Sequence, residues 1–137
     1  MIAVVLDTNI LVSGLGWSGP PSLIVDAVVA GEVLLVSSPP LLAELKRVLT
    51  HPKLAAVFPD PAGIVERIRV VAEVVEPTFT LGVVADEPDN RVIEAAVAAR
   101  VDAVVTGDAM LLAVGDHDGI PIVSAARFLD WRRNASE

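Results

Sequence analysis

Two apolar runs of this chain stop on an aspartate: Val4-Val5-Leu6-Asp7-Thr8-Asn9 near the start and Ala103-Val104-Val105-Thr106-Gly107-Asp108 near the end. A β-branched run that ends on a carboxylate reads as a buried parallel strand delivering that acid to the carboxyl edge of a sheet, where open α/β folds place their ligand sites. Side by side, two such strands bring Asp7 and Asp108 together. Carboxylates held a few Å apart repel strongly unless a proton or a divalent cation neutralises them, so the first chemistry to consider is that of a metal site. Two more acids can join it. Glu44 lies at the border of a leucine-striped helix, roughly 100° of rotation from the stripe's centre by the helical period. Asp89 sits in Asp86-Glu87-Pro88-Asp89-Asn90, just before another helical pattern. Each acid also has a plainer reading: Asp7, Asp108 and the Asp86–Asp89 cluster as helix caps favoured by the dipole, and Glu44 as a solvated surface charge. The conjunction argues for more, because two strand ends and two helix edges can face one crevice of a doubly wound sheet.

The elements that must position these acids follow from apolar patterning. Residues 2–6, 33–36, 73–75, 103–106 and 120–123 read as five strands. Between them, Pro20-Pro21-Ser22 opens a helix that Gly31 closes, and Ser38 as N-cap with Pro39 at the first helical position opens a second. That second helix carries Leu41, Leu42, Leu45, Val48 and Leu49 at offsets 0, 1, 4, 7 and 8, a continuous stripe on one face. His51-Pro52 ends it, and Asp60-Pro61 starts another with Ile64, Ile68 and Val71 inward. Two prolines and a glycine in 77–88 make a crossing loop, Asp89-Asn90 caps a helix over 90–100, a short helix covers 110–112, and a terminal helix runs from Ser124 with Phe128 and Leu129. Strands alternating with helices at these spacings imply right-handed crossovers and an α/β fold with a mostly parallel sheet covered on both faces.

The bounds are consistent with this. The 137 residues suit a single domain spanning 1–137, with no internal repeat. Apolar residues make up 53% of the chain, yet charges or turn residues interrupt every apolar stretch before the ~18 residues of a membrane span. No basic leader precedes the first strand, so the expected location is cytoplasmic. The absence of cysteine excludes disulfides, zinc–thiolate sites and a cysteine nucleophile. Ten basic residues against eighteen acidic ones give a net charge of −8, which argues against a passive, charge-driven nucleic-acid binder but not against an enzyme that meets phosphate through bound cations.

Asp7-Thr8-Asn9 after the first strand, Glu44 on the helix after the second, Asp89-Asn90 at a late helix and Thr106-Gly107-Asp108 after the next strand together resemble the PIN-domain family, over essentially the whole chain. The likeness is closest to the subgroup described as toxin components of toxin–antitoxin systems. It implies a three-layer α/β/α sandwich with a five-stranded sheet and a Mg²⁺- or Mn²⁺-dependent endoribonuclease site. Carried over residue by residue, the resemblance makes Asp7, Glu44, Asp89 and Asp108 the catalytic metal-binding acids, with Asn9 and Thr106 as supporting polar positions. Asp86 and Glu87 compete with Asp89, and a further acid of some members has no unambiguous match, Asp116 being the remaining candidate. The partners implied are an RNA substrate and a cognate antitoxin, and the high apolar content adds the expectation of a homodimer.

Such a site suits phosphodiester hydrolysis, which needs an activated water and neutralisation of charge building on the phosphoryl oxygens, and magnesium takes oxygen ligands while keeping several waters. The weaker features are open. Lys46, Arg47 and Lys53 flank Glu44 and can meet phosphate or simply solvent, Arg91 can touch substrate or pair with Glu87, and Trp17 in the Gly14–Gly19 segment can stack on a base or pack into the core. A receiver-like phosphorylation domain wants a late lysine, and no lysine follows Lys53; a dehalogenase-type phosphatase wants a second aspartate where Asn9 stands. The rival from another class is a fold of this type kept as a protein-interaction module with little catalysis.

Overall fold

The run Ile2–Leu6, too β-branched to favour a helix, forms strand β1, and Val33–Ser37 forms β2 beside it in parallel, with Ile2 opposite Val33 and Val5 opposite Val36. On the other side of β1 lies β4 (Ala103–Val105), again parallel, with Val4 opposite Ala103 and Leu6 opposite Val105. Asp7 and Asp108 are thus on neighbouring strand ends, as the two sequence runs require. This computed structural model describes residues 1–135. The sheet is completed by β3 (Glu73–Val74) outside β2, and by β6 (Ile120–Val123) and β5 (Asp116–His117) outside β4, giving the order β3-β2-β1-β4-β6-β5.

The helices are α1 (Thr8–Gly16), α2 (Pro20–Val29), α3 (Pro39–Leu49), α4 (Pro61–Val71), α5 (Glu87–Ala99), α6 (Ala109–Val114) and α7 (Ala125–Ala135), with a 3₁₀ turn at Pro52–Leu54. They fall on the two faces that strand alternation creates. Val4, Leu6, Leu35 and Val105 join Ile24, Leu42, Leu45, Leu49 and Phe128 in one apolar cluster, whereas Val5, Val36 and Val104 meet Val92, Ile93 and Ala96 of α5 in the other. Burying each such aliphatic side chain stabilises the fold by about 1.5–3 kcal/mol, so both layers are firmly held to the sheet. The result is the α/β/α sandwich with a mostly parallel sheet. Among the described residues, no helix is long and apolar enough to cross a membrane.

Three details depart from the sequence reading. Among the described residues there are six strands rather than five. The additional one, β5, pairs antiparallel with β6 through the turn Asp118-Gly119, whose φ angles of 50° and 78° suit a two-residue hairpin. The cap of α5 is Asp86, whose Oδ1 accepts from the Asp89 N–H at 3.4 Å, so Asp89 and Asn90 lie within the first turns rather than before them. Helix α1 also runs on to Gly16, absorbing the start of the Gly14–Gly19 segment. There Gly14 lets α1 approach α2 closely, since a Cβ would stand 2.5 Å from Val25 Cγ2.

Candidate active site at the carboxyl edge of the sheet

Asp7 leaves β1 with its N–H donating to the Val105 carbonyl at 3.0 Å, which extends the ladder by one residue and brings it level with Thr106. Thr106, fully buried, donates from Oγ1 to Asp7 Oδ2 at 2.8 Å and accepts from the Asp108 N–H at 3.0 Å. One hydroxyl therefore ties together the two acids whose strands the sequence paired. Asp7 is the cap residue of α1 only through its carbonyl, which accepts from the N–H groups of Ile10 and Leu11. Its carboxylate makes no side-chain capping bond there. Asp108 does cap: its Oδ1 accepts from Met110 and Leu111 N–H at 2.8 and 3.2 Å, which commits that oxygen to α6.

The remaining acids approach from two helices. Asp89, 7% exposed, points inward from the first turn of α5, and its Oδ2 is buried without a hydrogen-bond partner. Asp86 and Glu87 are exposed. Asp86 is spent on the cap, and Glu87 pairs with Arg91 at 3.2 Å. Glu44 stands on the exposed side of α3, held by the Arg47 guanidinium through Nη2–Oε1 at 2.6 Å and Nε–Oε2 at 3.1 Å. With Pro40, Leu41, Glu87, Pro88 and Arg91 it lines a cleft of about 240 Å³.

Electrostatics link the four. Burial raises the Asp7 carboxyl above its ordinary range, the Thr106 bond opposes this, and the charges of Asp108 and Glu44 reinforce it. Burial, followed by the charges of Asp108, Asp86 and Asp7, pushes Asp89 up to about 7. Asp7 thus lies within electrostatic reach of Asp108, Glu44 and Asp89, and Asp89 within reach of Asp108. Among the described residues, no group of three or more His, Cys, Asp or Glu side chains is placed to form an ion-holding cage. A hydrated Mg²⁺ does not ask for one, because it binds through one or two carboxylates and retains water. The donors are all oxygen, one buried carboxylate oxygen, Asp89 Oδ2, has no hydrogen-bond partner, and burial together with the neighbouring negative charges favours its protonation; the residues fit a hard divalent cation.

The other candidates are placed as follows. Asn9 is exposed on α1, outside the hydrogen bonds of Thr106. Asp116 lies exposed in β5 at the sheet's far edge. Arg91 pairs with Glu94 at 2.8 Å as well as with Glu87. Trp17 is half exposed and meets buried Phe58 edge-on at 6.1 Å, which favours its packing role. Sequence reasoning missed a polar frame beneath Asp89. Buried Asn90 accepts from Val83 and Val84 N–H and donates to the Val84 carbonyl, while buried Glu94 accepts from Leu81 N–H, pinning the crossing loop to α5. The available signal was the spacing of Asn90 and Glu94, four residues apart and hence on one helix face.

The family described as PIN domain matches residues 3–110. No curated protein matches in sequence. Among solved structures, one similar chain belongs to the crystal structure of VapBC2 from Rickettsia felis bound to a DNA fragment from their promoter. The identity is 14%, the TM-score 0.61, and the match covers 88% of this chain and 97% of that one, which is a likeness of fold.

Proposed function

This chain belongs to the PIN-domain family, whose members are generally nucleases that use divalent metal ions, and on that premise we propose that it is a Mg²⁺- or Mn²⁺-dependent endoribonuclease acting as the toxin of a toxin–antitoxin pair. The observation that carries the reading is the buried, unpartnered Oδ2 of Asp89, set near Asp108 and Asp7 with its carboxyl raised to about 7. A group so placed is destabilised unless a cation or proton arrives, and a hydrolytic site uses that need.

Asp7, Asp89, Asp108 and Glu44 would hold the ion, which when bound neutralises the phosphoryl oxygens and lowers the pKa of a bound water. The chain's own part is positioning. Thr106 fixes the Asp7 carboxylate by occupying Oδ2 and is itself oriented by the Asp108 N–H. The α6 cap fixes Asp108 through Oδ1, leaving its other oxygen for the site. Asn90 and Glu94 lock the loop before α5 and so set the depth at which Asp89 enters. Arg47, paired with Glu44 at the rim, supplies a guanidinium where RNA phosphate would approach.

An antitoxin partner, a homodimer and a cytoplasmic location complete the proposal; the VapBC2 likeness in fold supports the first of these. The test is incubation of the purified chain with unstructured and hairpin RNAs in Mg²⁺, Mn²⁺ or EDTA. Cleavage that EDTA abolishes and Asp7→Asn lacks is the expected result. Intact RNA under both metals would refute the nuclease and leave an interaction module.

A further inference from the structure

Buried side-chain atoms without a hydrogen-bond partner are costly and need an explanation, and among the described residues they are Ser38 Oγ, Asp89 Oδ2 and Arg91 Nε. Ser38 is 1% exposed and follows β2 directly. Serine in this place ordinarily caps the helix that begins there by accepting from the free N–H groups of its first turn. Here the first two helical residues are Pro39 and Pro40, which have no N–H, so Leu41 is the one remaining donor of that turn a cap could use, and the Ser38 side chain makes no capping bond. Its hydroxyl is therefore spare.

Its placement follows from the register. Val5 lies opposite Val36, so continuing the β1–β2 pairing by two residues puts Ser38 level with Asp7. Leu6 lies opposite Val105, and the next residue, Thr106, is level with Asp7 on the other side. Ser38, Asp7 and Thr106 form one row across the carboxyl edge, about 4.8 Å from strand to strand. By alternation the row shares the face of Val36, Val5 and Val104, the face that α5 covers and from which Asp89 enters. Asp7 thus stands in the row between Thr106, whose hydroxyl is bonded to its carboxylate, and Ser38, whose buried hydroxyl has no hydrogen-bond partner.

We propose that Ser38 is a further ligand-positioning residue of this site, its hydroxyl hydrogen-bonding a water in the shell of the divalent cation held by the acids. This rests on the metal-site reading above. A hydrated Mg²⁺ brings donors that must find acceptors, and a serine oxygen can accept two hydrogen bonds. In a metal-free chain that oxygen lacks a partner; in a loaded one it gains one.

The experiment titrates MgCl₂ and MnCl₂ into the full chain by calorimetry, for the parent, Ser38→Ala and Ser38→Thr, and follows urea unfolding of each in EDTA. Loss of one such bond is expected to weaken Mg²⁺ binding about 5-fold in Ser38→Ala, with Ser38→Thr close to the parent. Without metal, Ser38→Ala should unfold at an equal or higher urea concentration, because an unpaired buried hydroxyl has gone. Equal Mg²⁺ affinity in parent and Ser38→Ala overturns the assignment while leaving the nuclease reading standing. So does a lower urea midpoint for Ser38→Ala with unchanged affinity, which is the mark of a structural cap. Failure of the parent itself to bind either ion overturns both readings at once.

Discussion

Replacing Asp89 by asparagine isolates the electrostatic debt of the site. The carboxyl lies at about 7 in the folded chain against an ordinary 3.8, so the folded state binds the proton more tightly than the unfolded one. The sign follows from linkage. Between these two values the unfolded chain has released a proton that the folded chain retains, so stability falls as pH rises from 4 towards 7 and is flat above. At 1.36 kcal/mol per pH unit the full interval amounts to about 4 kcal/mol. Water on the open side of the cleft screens part of this, and about 2 kcal/mol is the figure to expect in moderate salt. Asp89→Asn removes the titrating group while its amide can donate to neighbouring carboxylates. In EDTA, urea unfolding followed by circular dichroism should show parent and variant equally stable near pH 4, and the variant ahead by about 2 kcal/mol at pH 8. Added Mg²⁺ at a hundredfold excess over Kd should then stabilise the parent by about 2.7 kcal/mol and the variant by much less. Stability curves that stay parallel from pH 4 to pH 8 would refute the reasoning, because Asp89 would then be an ordinary surface acid.

Other consequences are testable in the same preparations. Thr106→Val leaves Asp7 Oδ2 and the Asp108 N–H without their shared partner, which should cost about 1–3 kcal/mol of stability by urea titration and reduce RNA cleavage about 10–100-fold, with Thr106→Ser restoring both. Gly14→Ala drives a methyl into Val25 Cγ2 and the Pro21 carbonyl, separating α1 from α2; a fall of about 1–3 kcal/mol is expected, read as a lower Tm. Asp108→Asn should keep the α6 cap, and hence stability, while cleavage is lost, whereas Asp108→Ala should also give up about 1 kcal/mol. Light scattering at about 10 μM should report a dimer, enough to detect a Kd near 1 μM; a monomer mass would remove the homodimer from the proposal.

The sequence by itself determined the α/β class and five of the six strands and nominated the four acids, because continuous apolar runs and a leucine stripe at helical spacing record burial locally. Val4 and Val5 are buried wherever their strand lies, and proline pairs start helices in any context. The sixth strand was legible only in its turn: Asp116–His117 has no apolar pattern, but Asp118-Gly119 is a hairpin signal. Capping chemistry misled at α5, where Asp86, Glu87 and Asp89 compete within four residues and local propensity cannot say which one turns inward. Tertiary structure alone decided the state of the site. The Thr106 hydroxyl reaches Asp7 across 99 residues of chain, Asp89 is raised by burial and then by charges that include Asp108 and Asp7, and Ser38 makes no capping bond yet lies level with Asp7 by strand register. Protonation and metal affinity depend on distance and burial in space, quantities that a linear sequence does not contain until its strands have been put in order.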